Sequence, residues 1–199
     1  MKPLILIGGG GHARVVLDLA QKLGYEIYGF LDDSVVEWHG VRYLGPVSQI
    51  MEYRDVCAFV IAIGSNQIRE KIAKKYEVQY VPLVHPSARI GNDVVLGDGT
   101  VVMANAVINA SSNIGSHCII NTSSVVEHDN RLGDFVHISP GAILTGSIHI
   151  GERTQVGAGA VLVNNITVAT DCMIGAGAVV IENITQQGTY VGVPARRIS

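Results

Sequence analysis

From Ile90 to Val180 every sixth residue is aliphatic, sixteen positions in succession with no insertion. A hexapeptide period is the pattern of a β-solenoid, in which short flat strands alternate with tight turns; three hexads complete one triangular coil of 18 residues. The block predicts about five coils of a left-handed parallel β-helix. One coil cannot bury its aliphatic corners alone, so stacking on its neighbours supplies the core. Gly often follows the aliphatic position (Gly91, Gly97, Gly115, Gly133, Gly151, Gly157, Gly175), and the residue two before it is mostly small, as at Ala88, Ala106, Cys118, Ala142, Ala160 and Ala178. The turns demand small or left-handed-tolerant residues, which accounts for much of the 23 Gly. Cys118 and Cys172 are three coils apart, about 14 Å at the usual strand spacing, and cannot be bridged.

The part before the repeat has a different character. Nine of the 11 aromatic residues precede residue 81, and all five lysines lie at or before Lys75. The shift occurs near His85-Pro86, where the expected division is an α/β domain over 1–84, a β-helix over 85–185 and a tail over 186–199. Leu4–Ile7 reads as a buried strand, Gly8–Gly11 as a tight loop and Ala13–Leu23 as a helix with apolar Val15, Val16, Leu19, Ala20 and Leu23. Strands are expected at Glu26–Phe30, Ala58–Ile63 and Gln79–Val84, with a helix over Gln67–Lys75. The pattern is that of a small Rossmann-like parallel α/β domain, which binds ligands at the loops after its strand ends.

With 48% hydrophobic residues, 16% charged residues and a formal net charge of −3, the chain is too apolar for disorder and too little basic for phosphate neutralisation on a nucleic acid. No apolar run approaches the roughly 18–20 residues of a membrane helix. Three cysteines form neither a disulfide framework nor a metal-ligand spacing. The expectation is a soluble, cytoplasmic protein without nucleic-acid or membrane partners.

Gly8-x-Gly10-x-x-Ala13, with Asp32 at the end of the second strand, matches a dinucleotide fingerprint, but the domain is about half a full dinucleotide-binding fold. Glycines let the backbone approach a diphosphate and a helix N-terminus favours its charge, so a smaller nucleotide ligand fits as well. In the repeat, His128 stands between Glu127 and Asp129, where a carboxylate beside the imidazole raises its basicity and fixes its tautomer. His117 and His149 read as solvated residues of turn or face.

The hexapeptide block resembles the left-handed β-helix acyltransferases. Together with the domain in front, nearly the whole chain resembles the PglD-like nucleotide-sugar N-acetyltransferases and the NeuD-like sugar O-acetyltransferases. The residues carrying the likeness are Gly8–His12, Phe30–Asp33, Ile61–Asn66, Asn121–Asp129 and Gly192–Arg196. The resemblance implies that Gly10, Gly11, His12, Asp32, Asp33 and Gly64 contact a nucleotide-linked sugar and that Asn121 lies at the substrate site. It implies that His128 is the general base and that the acidic residue after it, Asp129, is its partner, with Glu127 open as a substitute. It also implies a homotrimer with sites in the clefts between prisms, and contact of His137 with the acetyl group or thioester of acetyl-CoA. His137 lies half a coil from His128, so the two can share a site only across a subunit interface. CoA is expected along the prism edge at Gly146, Ala158 and Ala176, with Arg196 and Arg197 as candidates for its phosphates. No metal is expected: no His pair has the five-residue spacing of the zinc sites in trimers resembling gamma-class carbonic anhydrases. The expected reaction is acetyl transfer to the amino group of a nucleotide-linked amino-deoxysugar; sugar O-acetylation and a non-catalytic binding solenoid stay open.

Overall fold

The computed structural model describes residues 2–34, 38 and 40–199. The first part is a four-stranded parallel sheet of β1 (Leu4–Ile7), β2 (Ile27–Leu31), β3 (Tyr43–Gly45) and β4 (Ala58–Ile61), in the order β3-β2-β1-β4. Helix α1 (Gly11–Lys22) follows β1 and helix α2 (Asn66–Lys75) follows β4; a short 3-10 helix, Val47–Glu52, follows β3. Strand β1 is buried on both sides, and its alternation sorts two cores. Leu4 and Leu6 pack with Ala13, Val16, Leu19 and Ala20 of α1. Ile5 and Ile7 pack with Ile50, Phe59 and Ile72 on the opposite side. Val15, expected on the apolar stripe of α1, is exposed, and Ala13 takes the buried position instead.

The second part is a left-handed parallel β-helix, as the period of six predicts. From Leu83 to Val180 each strand except Cys172–Ile174 is two residues long, and its last residue is the hexad aliphatic, turned inward. Strands pair with those 18 residues away, which sorts them into three faces. The first face carries Leu83–Val84, Val101–Val102, Ile119–Ile120, His137–Ile138, Gln155–Val156 and Cys172–Ile174. The second carries Arg89–Ile90, Val107–Ile108, Val125–Val126, Ile143–Leu144, Val161–Leu162 and Val179–Val180. The third carries Val95–Leu96, Asn113–Ile114, Arg131–Leu132, His149–Ile150 and Thr167–Val168. Gly188–Val191 continues the first face, and Arg196–Arg197 adds to it as an antiparallel strand.

The expected strand Gln79–Val84 is split. Tyr80 makes a single bridge to Phe59 beside β4, while Leu83–Val84 pairs with Val101–Val102 as the first rung of the solenoid. The two parts share one core: Val101, Met103 and Ile119, outward on the first face, pack with Leu4, Leu6 and α1.

Every turn from Asp93 to Gly177 places its third residue after the aliphatic in left-handed geometry, from Asp93 at φ 58° and Asn105 at 57° through to Gly177 at 67°. Most of these residues are Gly, Asn, Asp or Ser, which enter that region at least cost. His117, Phe135 and Arg153 do not fit that pattern, and they stack on a single vertex, between the third and first faces. That vertex is the one α2 docks against.

Glycine after the aliphatic has a different cause. A Cβ on Gly97 would stand 2.4 Å from the Ser116 backbone nitrogen in the coil stacked on it. Gly97→Ala should therefore lower the melting temperature more than Gly159→Ala, whose Cβ meets nothing and which costs about 1–2 kcal/mol for its left-handed φ. Equal losses in thermal unfolding would show that coil spacing does not select glycine at this position.

Candidate functional site

Three loops at the C-terminal ends of β1, β2 and β4 form a crest on the α/β domain. The glycine loop is held from below: Gly9 N–H donates to Asp32 Oδ2 (2.6 Å) and Trp38 Nε1 donates to the Gly9 carbonyl (2.8 Å), with the indole stacked on Phe30. Asp32 Oδ1 accepts the Ser34 N–H and Asp33 Oδ1 the Val47 N–H, at the start of the 3-10 helix. Both carboxylates thus brace the crest, and the lone pairs left over are what they can offer a ligand. Gly10, Gly11 and Gly64 stand clear of the described residues, since a Cβ on any of them would meet none of these within 4 Å. Among the described residues no side chain caps α1, whose N-cap is Gly10, which leaves its first N–H groups to an anion.

The crest meets the first face of the solenoid. His12, in the first turn of α1, lies 6.5 Å from His137, ring centre to ring centre. Asn121 Nδ2 lies 3.1 Å from His137 Nε2; with the amide donating, the imidazole proton sits on Nδ1. His12 Nε2 and His137 Nδ1 are buried and, among the described residues, neither makes a hydrogen bond of good geometry, although the Gly64 backbone lies close to His137. Burial first, then the Arg69 guanidinium, pushes His12 down to about 4; the same two causes and His12 itself push His137 to about 3, with the Gly64 backbone acting the other way. A single chain therefore brings together Gly64, His12, Asn121 and His137 from both of its parts.

His128 lies elsewhere, on the vertex between the second and third faces. Its Nδ1 is 2.7 Å from Asp129 Oδ2, and both side chains are more than half exposed. Donation from Nδ1–H to the carboxylate leaves Nε2 as the basic nitrogen. Glu127, the alternative partner, instead accepts a hydrogen bond from Asn109 Nδ2 at 2.8 Å. The Glu127 carbonyl takes donors from Ser112 Oγ and the buried Asn130 amide, which pin the turn. Gly146 sits one coil on, and a Cβ there would stand 2.6 Å from His128 Cε1. This glycine makes room for the imidazole.

Ala158 and Ala176 are exposed and stacked one coil apart, on the vertex between the first and second faces. They do not share a vertex with Gly146, which flanks the opposite edge of the second face. Arg196 and Arg197 are exposed on the tail strand. His149 is exposed, as expected, but His117 is not solvated: it is 6% exposed, stacked on Phe135 at 5.4 Å and met edge-on by Tyr80 at 4.6 Å. Docking of the α/β domain buries it, and nothing local in the sequence marks that. Arg69 is a second residue that sequence reasoning missed; between Ile68 and Glu70 on a short charged helix it looks like part of a solvated face. Among the described residues no group of three or more His, Cys, Asp or Glu could hold a metal, and no helix is long and apolar enough to cross a membrane.

Residues 3–76 match the family model of the PglD N-terminal domain. UDP-N-acetylbacillosamine N-acetyltransferase of Bacillus subtilis is 38% identical over 113 residues, 52% of this chain and 52% of that protein. The match thus spans about half the length of that curated relative. The solved acetyltransferase domain of PglB from Neisseria gonorrhoeae is 36% identical with a TM-score of 0.95, each chain covered in full. The chain belongs to the PglD-like sugar acetyltransferases. In this family PerB from Caulobacter crescentus, solved in complex with CoA and GDP-perosamine, is 35% identical with a TM-score of 0.94 over 100% of this chain and 98% of that one. The sequence resemblance to PglD-like proteins is confirmed over the whole chain.

The three depressed imidazoles make a pH prediction. His12, His117 and His137 stay neutral in the folded state down to about 4, 4 and 3, whereas the unfolded chain protonates near 6.5. Below pH 6.5 the unfolded state binds more protons, so stability falls as pH drops towards 4, by up to about 1.4 kcal/mol per pH unit for each imidazole. Melting temperatures from pH 7.5 to 4.5 should decline, with His117→Phe flattening the curve. A profile that is level across this range would contradict the burial of these rings.

Proposed function

We propose that the chain transfers the acetyl group of acetyl-CoA to the amino group of a nucleotide-linked amino-deoxysugar, with His128 as general base. The observation that carries this reading is the His128–Asp129 pair: an exposed imidazole whose Nδ1 is held at 2.7 Å by a carboxylate and whose Nε2 is free for a proton. The attacking amine must lose a proton as it adds to the thioester carbonyl, and His128 takes it. Attack is direct, because the three cysteines are buried and unsuited to form an acyl-enzyme. The free glycines of the crest and the open N-terminus of α1 suit the diphosphate of the acceptor. The names of relatives support the same chemistry: one is an N-acetyltransferase, and others were solved with acetyl-CoA or with CoA and GDP-perosamine. Such a reaction belongs in the cytoplasm, where both substrates are made.

The three faces support assembly as a homotrimer. Outward on the third face, beyond the exposed Val95 of its first rung, stand Asn113, Arg131, His149 and Thr167, a polar row suited to water. Outward on the second, beyond Arg89 on its first rung, stand Val107, Val125, Ile143, Val161 and Val179, an apolar row that is half-buried or exposed in the single chain. A second prism packed there brings its first face towards the vertex that carries His128. Each cleft then joins His128 of one subunit to His12 and His137 of the next, with CoA along the edge lined by Ala158 and Ala176 and its phosphates near Arg196 and Arg197.

His128→Ala should lower turnover by about 10²–10⁴-fold and leave CoA binding intact, as followed by thiol release with several nucleotide-linked amino sugars. A variant keeping half the wild-type rate would remove His128 from the base role, and preferential release with hydroxyl acceptors would make the enzyme an O-acetyltransferase.

A mixture of His128→Ala and His137→Ala chains, dissociated and reassembled, should regain about a quarter of wild-type activity, since each cleft draws one histidine from each of two subunits. No recovery in verified mixed oligomers would rule out shared sites.

A further inference from the structure

Arg69 is 1% exposed, and among the described residues no carboxylate pairs with it. A buried guanidinium without a counter-ion is tolerated only if its N–H groups are satisfied. All three nitrogens are. Nη1 donates to the Ile63 carbonyl (3.1 Å) and the Gly64 carbonyl (2.9 Å) in the loop after β4. Nε donates to the His117 carbonyl and Nη2 to the Phe135 carbonyl, both at 2.9 Å, on consecutive coils of the docked vertex. Nη2 also reaches Asn66 Oδ1, whose own amide donates to the Arg153 carbonyl one coil further on. One planar fork thus joins a loop of the α/β domain to a ladder of solenoid carbonyls.

The placement of this joint matters more than its strength. Gly64 is a free edge of the crest, and its backbone lies beside His137. Any rocking of the α/β domain on the prism would change the distance from the crest to His137. Among the described residues only the guanidinium is bonded at once to the Gly64 carbonyl and to the solenoid backbone. The ion pair of Glu70 with Arg153 also joins the two parts, but through side chains that keep 18–19% exposure and that touch neither the Gly64 loop nor a solenoid carbonyl.

We infer that Arg69 is a positioning residue, which fixes the acceptor loop at Gly64 against the first face so that the crest and Asn121 act as one acceptor site. The inference rests on the proposed acceptor role of the crest. Lysine keeps the charge but presents one nitrogen in place of a fork, so it cannot hold the loop and two coils together.

The test compares Arg69→Lys, Asn66→Ala and the edge control Glu70→Gln, using steady-state kinetics with acetyl-CoA and an accepted nucleotide-linked amino sugar, beside melting temperature. Arg69→Lys is expected to raise the acceptor KM about tenfold while the acetyl-CoA KM stays within about twofold. Asn66→Ala should show the same split to a smaller degree, and keeps the test decisive if the lysine variant fails to fold. Glu70→Gln should leave both KM values unchanged even if it lowers the melting temperature. If either joint variant folds with an unchanged acceptor KM, or if Glu70→Gln produces the same split, Arg69 only holds the domains together and the inference fails. A wild-type chain that neither binds nor acetylates any nucleotide sugar would instead overturn the acceptor reading itself.

Discussion

The backbone ladder between coils fixes everything else in this molecule. The N–H of Ile119 donates to Val136 O, that of Val101 to Cys118 O, and the turn N–H of Asp129 to Ala110 O. With such bonds at every rung, a residue and the one 18 positions later lie directly over each other. A residue added within a two-residue strand would turn its aliphatic outward, whereas one added at a turn could loop out; this chain has neither over sixteen hexads. The same rule decides side-chain chemistry. His128 has its ring space because Gly146 lies beneath it, and His117 fits because Gly99 lies beneath it.

Three nearly identical faces acquire three different roles through one outward residue per strand. Val101 and Ile119 accept the α/β domain, the polar row of the third face meets water, and the valine-rich row of the second face is left half-buried or exposed in the single chain. The candidate groups follow this division. His137 belongs to the docked face, where burial keeps it neutral, and His128 belongs to a vertex open to solvent. The half-coil separation that keeps them apart in one prism is a property of the period itself.

The solenoid was legible because its signal is local and repeated: one hexad predicts the next. The left-handed turns were legible for the same reason, as far as Asn, Asp, Ser and Gly mark them. The His128–Asp129 pair was legible as neighbours in sequence, although choosing Asp129 over Glu127 required the Asn109 contact, 18 residues away. The unreadable parts depend on docking. The burial of His117 and the inward turn of Arg69 arise from contacts between residues 48 and 66 positions apart. Strand β3 is three half-buried residues on the sheet edge, and the 3-10 helix after it starts on Asp33; neither has a periodicity long enough to register. Leu83–Val84 looked like a continuation of the α/β sheet because a short apolar run does not reveal which sheet it joins.

The tail strand has a consequence at the far end of the prism. A stack of parallel strands ends in a row of unpaired backbone groups, ready to receive another stack. Gly188–Val191 covers that row on the first face, and Arg196–Arg197 then pairs with it in the opposite direction, so a further parallel coil finds no matching edge. Two adjacent arginines on the outermost strand add charge repulsion between ends. The reversal of one short strand thus leaves the first face without a parallel edge for another stack to join.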